Sequence, residues 1–371
     1  MAPPNIVKST ALPIEPGELV KAYKKSRQTR LLLFLLLLCL LVLSFMFSIL
    51  AGSYDLDAGD VIRTLLGIEG GTKAIVIWNI RMPRTIAAIV AGSALGLSGL
   101  AAQSLLRNPL ASPFTLGISQ GAAFGAAFSI VILGAGGMQA SALRTNDVAS
   151  FFIHSIYAVT LFAFLGALAA TVTILALARL RKMSPEAIIL AGVALSSLFT
   201  SGTILVQYFA SDVEIATVVF WTFGDVARSS WREILVLTIV TGGTVIYFIL
   251  QRWNLNAMAV GEDSAKSLGV EVEKVRMVGM FIAALAAALT TAFHGVIAFL
   301  GLLAPHIGRK LVGVDYRLLI PFSCVLGALI LLVADTAGRL LLGSGTLPVG
   351  VLTSFMGAPL FLYLLMRGLK P

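Results

Sequence analysis

The side chains that could do chemistry in this sequence are few and scattered. Its three histidines, His154, His294 and His306, stand far apart, and Cys39 and Cys324 each lie inside an apolar run, so neither a metal quartet nor a disulfide framework is at hand. The phosphate-binding spacing G-x-x-x-x-G-K-[ST] and the zinc-protease spacing H-E-x-x-H do not occur. No general acid–base pair stands at helical spacing inside an apolar run. The chain is therefore expected to carry no enzymatic centre, no metal and no ATP engine of its own.

Charged residues point instead to binding and to a pathway. Asp335 and Arg339 are four apart, the spacing at which side chains share one helix face and can pair. Arg81 and Arg84, in RMPR, open another apolar run. Together the four would form a charged outer mouth that docks acidic groups of a partner or substrate. The blander reading is that the arginines snorkel to headgroups. Asp335 is also the main carboxylate that a proton-coupled carrier could use.

The stretch 255–276, LNAMAVGEDSAKSLGVEVEKVR, is the longest polar connection between apolar runs on the expected inner side, and its short helical pattern breaks at Gly261 and Gly269. As a plain connection it would be long for a helical bundle, which favours a docking element for a cytoplasmic engine over a passive loop. In GLLAPHIGRKLVGVDYR (301–317) a single His306 follows Pro305, an arrangement that most simply makes the histidine structural. Ser196, Ser197, Thr200 and Ser201 in one apolar run, and Thr353 and Ser354 in another, either line a polar path or bond helix to helix.

The elements that must position these residues follow from composition. Of 371 residues 58% are hydrophobic and only 12% charged, against about a quarter charged in ordinary soluble domains. Apolar runs fall near 31–51, 84–106, 114–134, 153–178, 187–207, 233–250, 275–293, 296–307, 318–338 and 348–366. The expected fold is an all-α integral membrane protein of about ten transmembrane helices. The eighth run is too short to cross a bilayer at 1.5 Å per residue, so a half-depth or tilted helix is expected there. Residues 1–30 read as a polar cytoplasmic segment and 31–371 as one permease-like unit, with an inner loop near 252–276. The first run is longer than a signal-peptide core and lacks its cleavage site, so it reads as a retained span.

With the N-terminus inside, 19 of the 27 Lys and Arg fall on the cytoplasmic side, which is the expected bias for a multi-pass protein with both termini in the cytoplasm. The net charge of +9 thus reflects orientation rather than nucleic-acid binding. Breakers at Asn108, Pro109, Pro113, Pro305, Pro348 and Pro359, and a loose match of runs two to five with runs seven to ten, suggest inverted-repeat-like halves with interrupted helices.

Longer motifs make the reading specific. RMPRTIAAIVAGSALGLSGLAAQSLLRNPLASPFTLGISQGA (81–122), LAGVAL (190–195), WTFGDVARSSW (221–231), LNAMAVGEDSAKSLGV (255–270), GVIAFLGLLAPHIGRKLVGVDYRLLIP (295–321), and ADTAGR followed by LPVGVLTSFMGAPLF (334–361) resemble the iron-chelate and vitamin B12 uptake permeases, the FecCD family of type II ABC importers. The resemblance runs from about residue 31 to the end. It implies a second permease copy or paralogue, two cytoplasmic ATPases that bind ATP and Mg, an extracytoplasmic substrate-binding protein, and a prokaryotic plasma membrane.

Residue by residue, the resemblance places Arg81, Arg84 and Arg339, with Asp335 beside them, at the binding-protein mouth. Gly261, Glu262, Ala265, Leu268 and Gly269 fall on the ATPase-coupling helices, and the runs holding Ser196, Ser197, Thr200, Thr353 and Ser354 on the pathway walls. Ser184, Pro185 and Glu186 fall at the inner gate; Gln103, Asn108, Pro109, Pro305 and His306 are carried as structural motif residues. MSPE at 183–186 departs from the small hydroxyl residues that follow the serine in vitamin B12 permeases. A ferric siderophore is the expected cargo, with heme, vitamin B12 or molybdate as alternatives. A proton-coupled secondary carrier and a membrane scaffold are the readings of other classes.

Overall fold

The computed structural model describes residues 16–135, 156–341 and 347–366. Residues 1–15 of the expected N-terminal segment lie outside the described residues. The rest of that segment is not separate: α1 runs unbroken over Pro16–Leu50. Between Gly17 and Leu50 the chain has no Gly or Pro, and Lys, Arg, Glu and Leu are all good helix formers, so polar and apolar halves join in one rod.

The chain continues through α2 (Ala58–Leu65), α3 (Thr72–Ile75), a π-helical turn (Val76–Arg81), α4 (Met82–Leu105), α5 (Ile118–Val131), α6 (Ile156–Arg179), α7 (Pro185–Tyr208), α8 (Asp212–Thr222), α9 (Trp231–Leu250), α10 (Arg252–Val260), α11 (Glu262–Ser267), α12 (Val272–His294), α13 (Leu300–Val312), α14 (Tyr316–Leu341) and α15 (Val349–Met366). Every described residue in regular structure is helical, as a chain without bulk water requires, because a helix satisfies its backbone groups internally. Seven of these helices are long and apolar enough to cross a bilayer. The third, eighth and tenth expected spans are the shorter α5, α13 and α15, and α13, with 13 residues, is the half-length helix expected for the eighth run.

The core is built around α4, which packs on α14, α12, α13 and α9, while α5 and α6 pair beside it and lean on α7 and α12. Small residues make this possible. A methyl group on Gly99 of α4 would overlap the Gly301 backbone of α13, and one on Gly92 would overlap that of Gly327 in α14. Backbones therefore touch at these crossings, and substitution has no space to fill. The π-helical turn hands the chain into α4, with Pro83 in the first turn where its missing N–H costs nothing. It delivers Arg81 and Arg84 to one end of the bundle, and α4 carries Leu105 to the other, about 30 Å away at 1.5 Å per residue.

Candidate functional site

At one end of the bundle the four expected mouth residues do come together, but not as free charges. Arg84 donates to both oxygens of Asp335, from Nε at 3.0 Å and Nη2 at 2.8 Å, and Arg339 Nε lies 3.4 Å from the same carboxylate. Asp335 is fully buried. Arg339 also donates to the Ser48 carbonyl at 3.1 Å, to the Ser48 hydroxyl, and to the Ala51 carbonyl at 3.1 Å. Arg81 donates to the carbonyls of Ile49 (2.7 Å), Leu50 (2.8 Å) and Tyr54.

The last carbonyls of a helix have no intrahelical partner, and at the end of α1 arginines from α14 and the π-helical turn supply it. The three arginines are buried, bonded to the end of α1 and to Asp335, with the Asp225 carboxylate 3.8 Å from Arg84 Nη2.

Near this centre His294, the last residue of α12, is buried. Its Nδ1 lies 3.0 Å from the Thr290 carbonyl and its Nε2 2.7 Å from the Ser229 hydroxyl. The carbonyl can only accept, so Nδ1 carries the proton and Ser229 donates to Nε2. This ties the 223–230 connection to α12, as does the Asp225 N–H donating to the His294 carbonyl at 2.7 Å.

At the opposite end Arg276 of α12 is 1% exposed. Its Nε donates to the Leu105 carbonyl at the end of α4 (2.8 Å), its Nη1 to the Met183 carbonyl in the α6–α7 turn (2.9 Å), and its Nη2 to the Glu262 carboxylate at the start of α11. Sequence reading counted Arg276 only among the basic inner residues; nothing in local spacing marks an arginine that joins three elements. Lys182 and Met183 take positive φ of 50° and 56°, a left-handed backbone that costs non-glycine residues about 1–2 kcal/mol each. Ser184 then caps α7, accepting from the Ala187 N–H at 3.2 Å, with Pro185 and Glu186 in the first turn. MSPE is thus a helix-start signal.

Beside this turn, α10 and α11 flank Gly261, so the helical pattern breaks where expected. Ala265 is buried, Leu268 is 75% exposed, and Gly269, at φ 83°, turns the chain back toward α12. Asn256 of α10 donates to Asp315 at 3.2 Å and accepts from the Tyr316 N–H at 3.0 Å. Partial burial pushes the Asp315 carboxyl up, but hydrogen bonds from the Arg317 side chain and backbone and from Asn256 outweigh it and leave its pKa below the ordinary carboxylate value.

The remaining expected residues make their hydrogen bonds within the chain. Gln103 of α4 is buried, reaching the Gly301 and Leu302 carbonyls at 3.4 Å and accepting from Arg309 of α13. Asn108 turns the chain after α4 by accepting from the Leu110 N–H at 2.9 Å, with Pro109 inside the same turn. Pro305 is buried within α13, and His306 beside it has no hydrogen-bond partner for Nε2.

Ser196, Ser197, Thr200, Thr353 and Ser354 all donate to carbonyls three or four residues earlier in their own helix, not to a neighbour. Gly117 to Gly121 has the G-x-S-x-G spacing of a hydrolase nucleophile turn, which requires a strand before the helix. Here it opens α5 with Ser119 buried, and His294 bonds elsewhere, so it forms no such centre.

Similarity to known proteins agrees with this architecture. The FecCD transport family model matches residues 40–367. An ABC transporter permease protein of Methanocaldococcus jannaschii is 48% identical over 353 residues, covering 95% of this chain and 99% of that protein. The hemin transport system permease protein HmuU of Yersinia pestis is 34% identical over 342 residues, covering 92% and 96%. A solved inward-facing metal-chelate type ABC transporter superposes with a TM-score of 0.76 at 28% identity, over 91% of this chain and 99% of that one. The chain belongs to the FecCD transport family, whose members are transport permeases with ATP hydrolysis on separate subunits.

Proposed function

We propose that two copies of this chain, or one copy and a paralogue, line the pathway of an importer that brings a ferric chelate, a ferric siderophore foremost, across a prokaryotic plasma membrane. The observation that carries this is α7. Only 11% of its apolar window is buried within the chain, against 78% for the span that includes α4, yet its open side carries Ser197, Thr200 and Ser201. Lipid gives no reward for a row of hydroxyls, whereas a second permease and a watered path do. Ser354 on α15 would face the same path.

The end with α10 and α11 is cytoplasmic in this reading, supported by the basic bias of that side. Gly261, Glu262, Ala265, Leu268 and Gly269 present the ATPase-docking element, with Leu268 as its exposed apolar contact. Arg81, Arg84, Asp335 and Arg339 hold the rim on which an extracytoplasmic binding protein sits. ATP binding and hydrolysis on the partners then shift the balance between outward and inward arrangements.

A test is uptake of labelled ferric siderophore, heme, vitamin B12 and molybdate into proteoliposomes holding this chain with its ATPase and binding protein. ATP-dependent uptake of a ferric siderophore alone is the expected result. Heme alone would move the cargo to the chemistry named for the Yersinia relative. Uptake by the purified chain without ATPase would overturn the importer and restore a secondary carrier.

A further inference from the structure

We infer that Arg276 is the positioning residue that transmits movement of the α10–α11 element to the foot of α7. The inference rests on the importer reading above for its functional meaning. Its basis is connectivity. One rigid guanidinium fork holds the carboxylate of Glu262, the carbonyl of Met183 and the carbonyl of Leu105, and a planar fork with fixed donor directions cannot follow one partner without pulling the others. Leu105 ends the most buried span, so it is the fixed point. Glu262 and Met183 lie outside the long spans, in α11 and in the α6–α7 turn.

The surroundings suit a lever rather than a plug. A groove of about 430 Å³ opens beside the fork, lined by Arg179 at the end of α6, Met183 of the turn, Lys266 of α11, Val270 of the connection, and Lys274 and Met277 of α12. The turn holds two consecutive left-handed residues and leads directly into Ser184, the cap of α7. A small displacement there therefore reorients the whole helix that carries Ser197 and Thr200.

The complex with its ATPases tests this with Arg276→Lys, which keeps the charge but loses the fork, and Arg276→Met, which loses both. The readouts are substrate moved per ATP hydrolysed, and the distance between spin labels on Lys182→Cys and Ser267→Cys in a background with Cys39 and Cys324 replaced by Ser. The expected result is a fall of about tenfold in transport per ATP. The label distance should be narrow and unchanged by ATP with Arg276 present, and should broaden or split on ATP addition in either variant. Uptake and hydrolysis falling by the same factor, or a label distance that responds to ATP identically with and without Arg276, would overturn the inference. Failure of the unaltered complex to import anything would fail the importer reading instead, while the label distances would still report on the link.

Discussion

Both ends of the bundle bury arginines, and they use them differently. At the end with Asp335, three guanidinium groups from the π-helical turn, α4 and α14 bond the carbonyls at and just after the end of α1 and the Asp335 carboxylate, and α1, α4 and α14 pack directly on one another. At the end with Glu262, a single guanidinium bridges the end of α4, the left-handed turn before α7 and a helix of 6 residues, with a groove beside it. The first arrangement clamps helices that pack along one another; the second ties together the ends of elements from three separate stretches. An arginine's role is thus set less by its own burial than by how independently its partners can move.

The largest test of this contrast is at the clamp. Asp335→Asn leaves buried Arg339 without its carboxylate and Arg84 with only the longer 3.8 Å pair to partly exposed Asp225, and is expected to cost about 3–5 kcal/mol, read as a lower thermal unfolding midpoint in detergent. A loss below about 1 kcal/mol, the range of exposed pairs, would mean that this end is as loose as the other. Next comes the packed middle. Gly99→Ala drives a methyl into the Gly301 backbone and should cost about 1–3 kcal/mol, also read from thermal unfolding.

At the lever end the effects should be smaller on stability and larger on activity. Ser184→Ala removes the cap of α7 at a cost of about 1 kcal/mol, and transport should fall more than stability does. Smallest is a pH effect. Because the Asp315 pKa is lowered in the fold, its stabilisation is present above the unfolded value of about 3.9 and fades as pH falls through the folded value. The midpoint difference between the unaltered chain and Asp315→Asn should therefore be visible at pH 6 and shrink as pH falls below the unfolded value.

The ten apolar runs could be read from sequence because span length and hydropathy are local properties, and so could the break at Gly261 and the short eighth helix. The pairing of Asp335 with Arg339 was legible too, being a matter of four-residue spacing. Its stronger partner, Arg84, lies 251 residues away in the chain, and no periodicity reports that distance. The burial of these arginines was invisible for the same reason: a charge count registers Arg81 identically whether it faces water or the carbonyl of Leu50. Arg276 was missed for this reason as well, since its three partners come from three separate stretches.

The glycine crossings have a further consequence. Where Gly92 meets Gly327, Gly99 meets Gly301, and Gly121 meets Gly166, main chain lies on main chain, and such seams have no rotamers through which to yield. Strain arriving at one of them cannot be absorbed by many small side-chain adjustments. The α4–α13–α14 block and the α5–α6 block must each travel as stiff plates, so the flexure of a working cycle is concentrated into the few joints, such as the turn before α7, where side chains rather than backbones keep the plates apart.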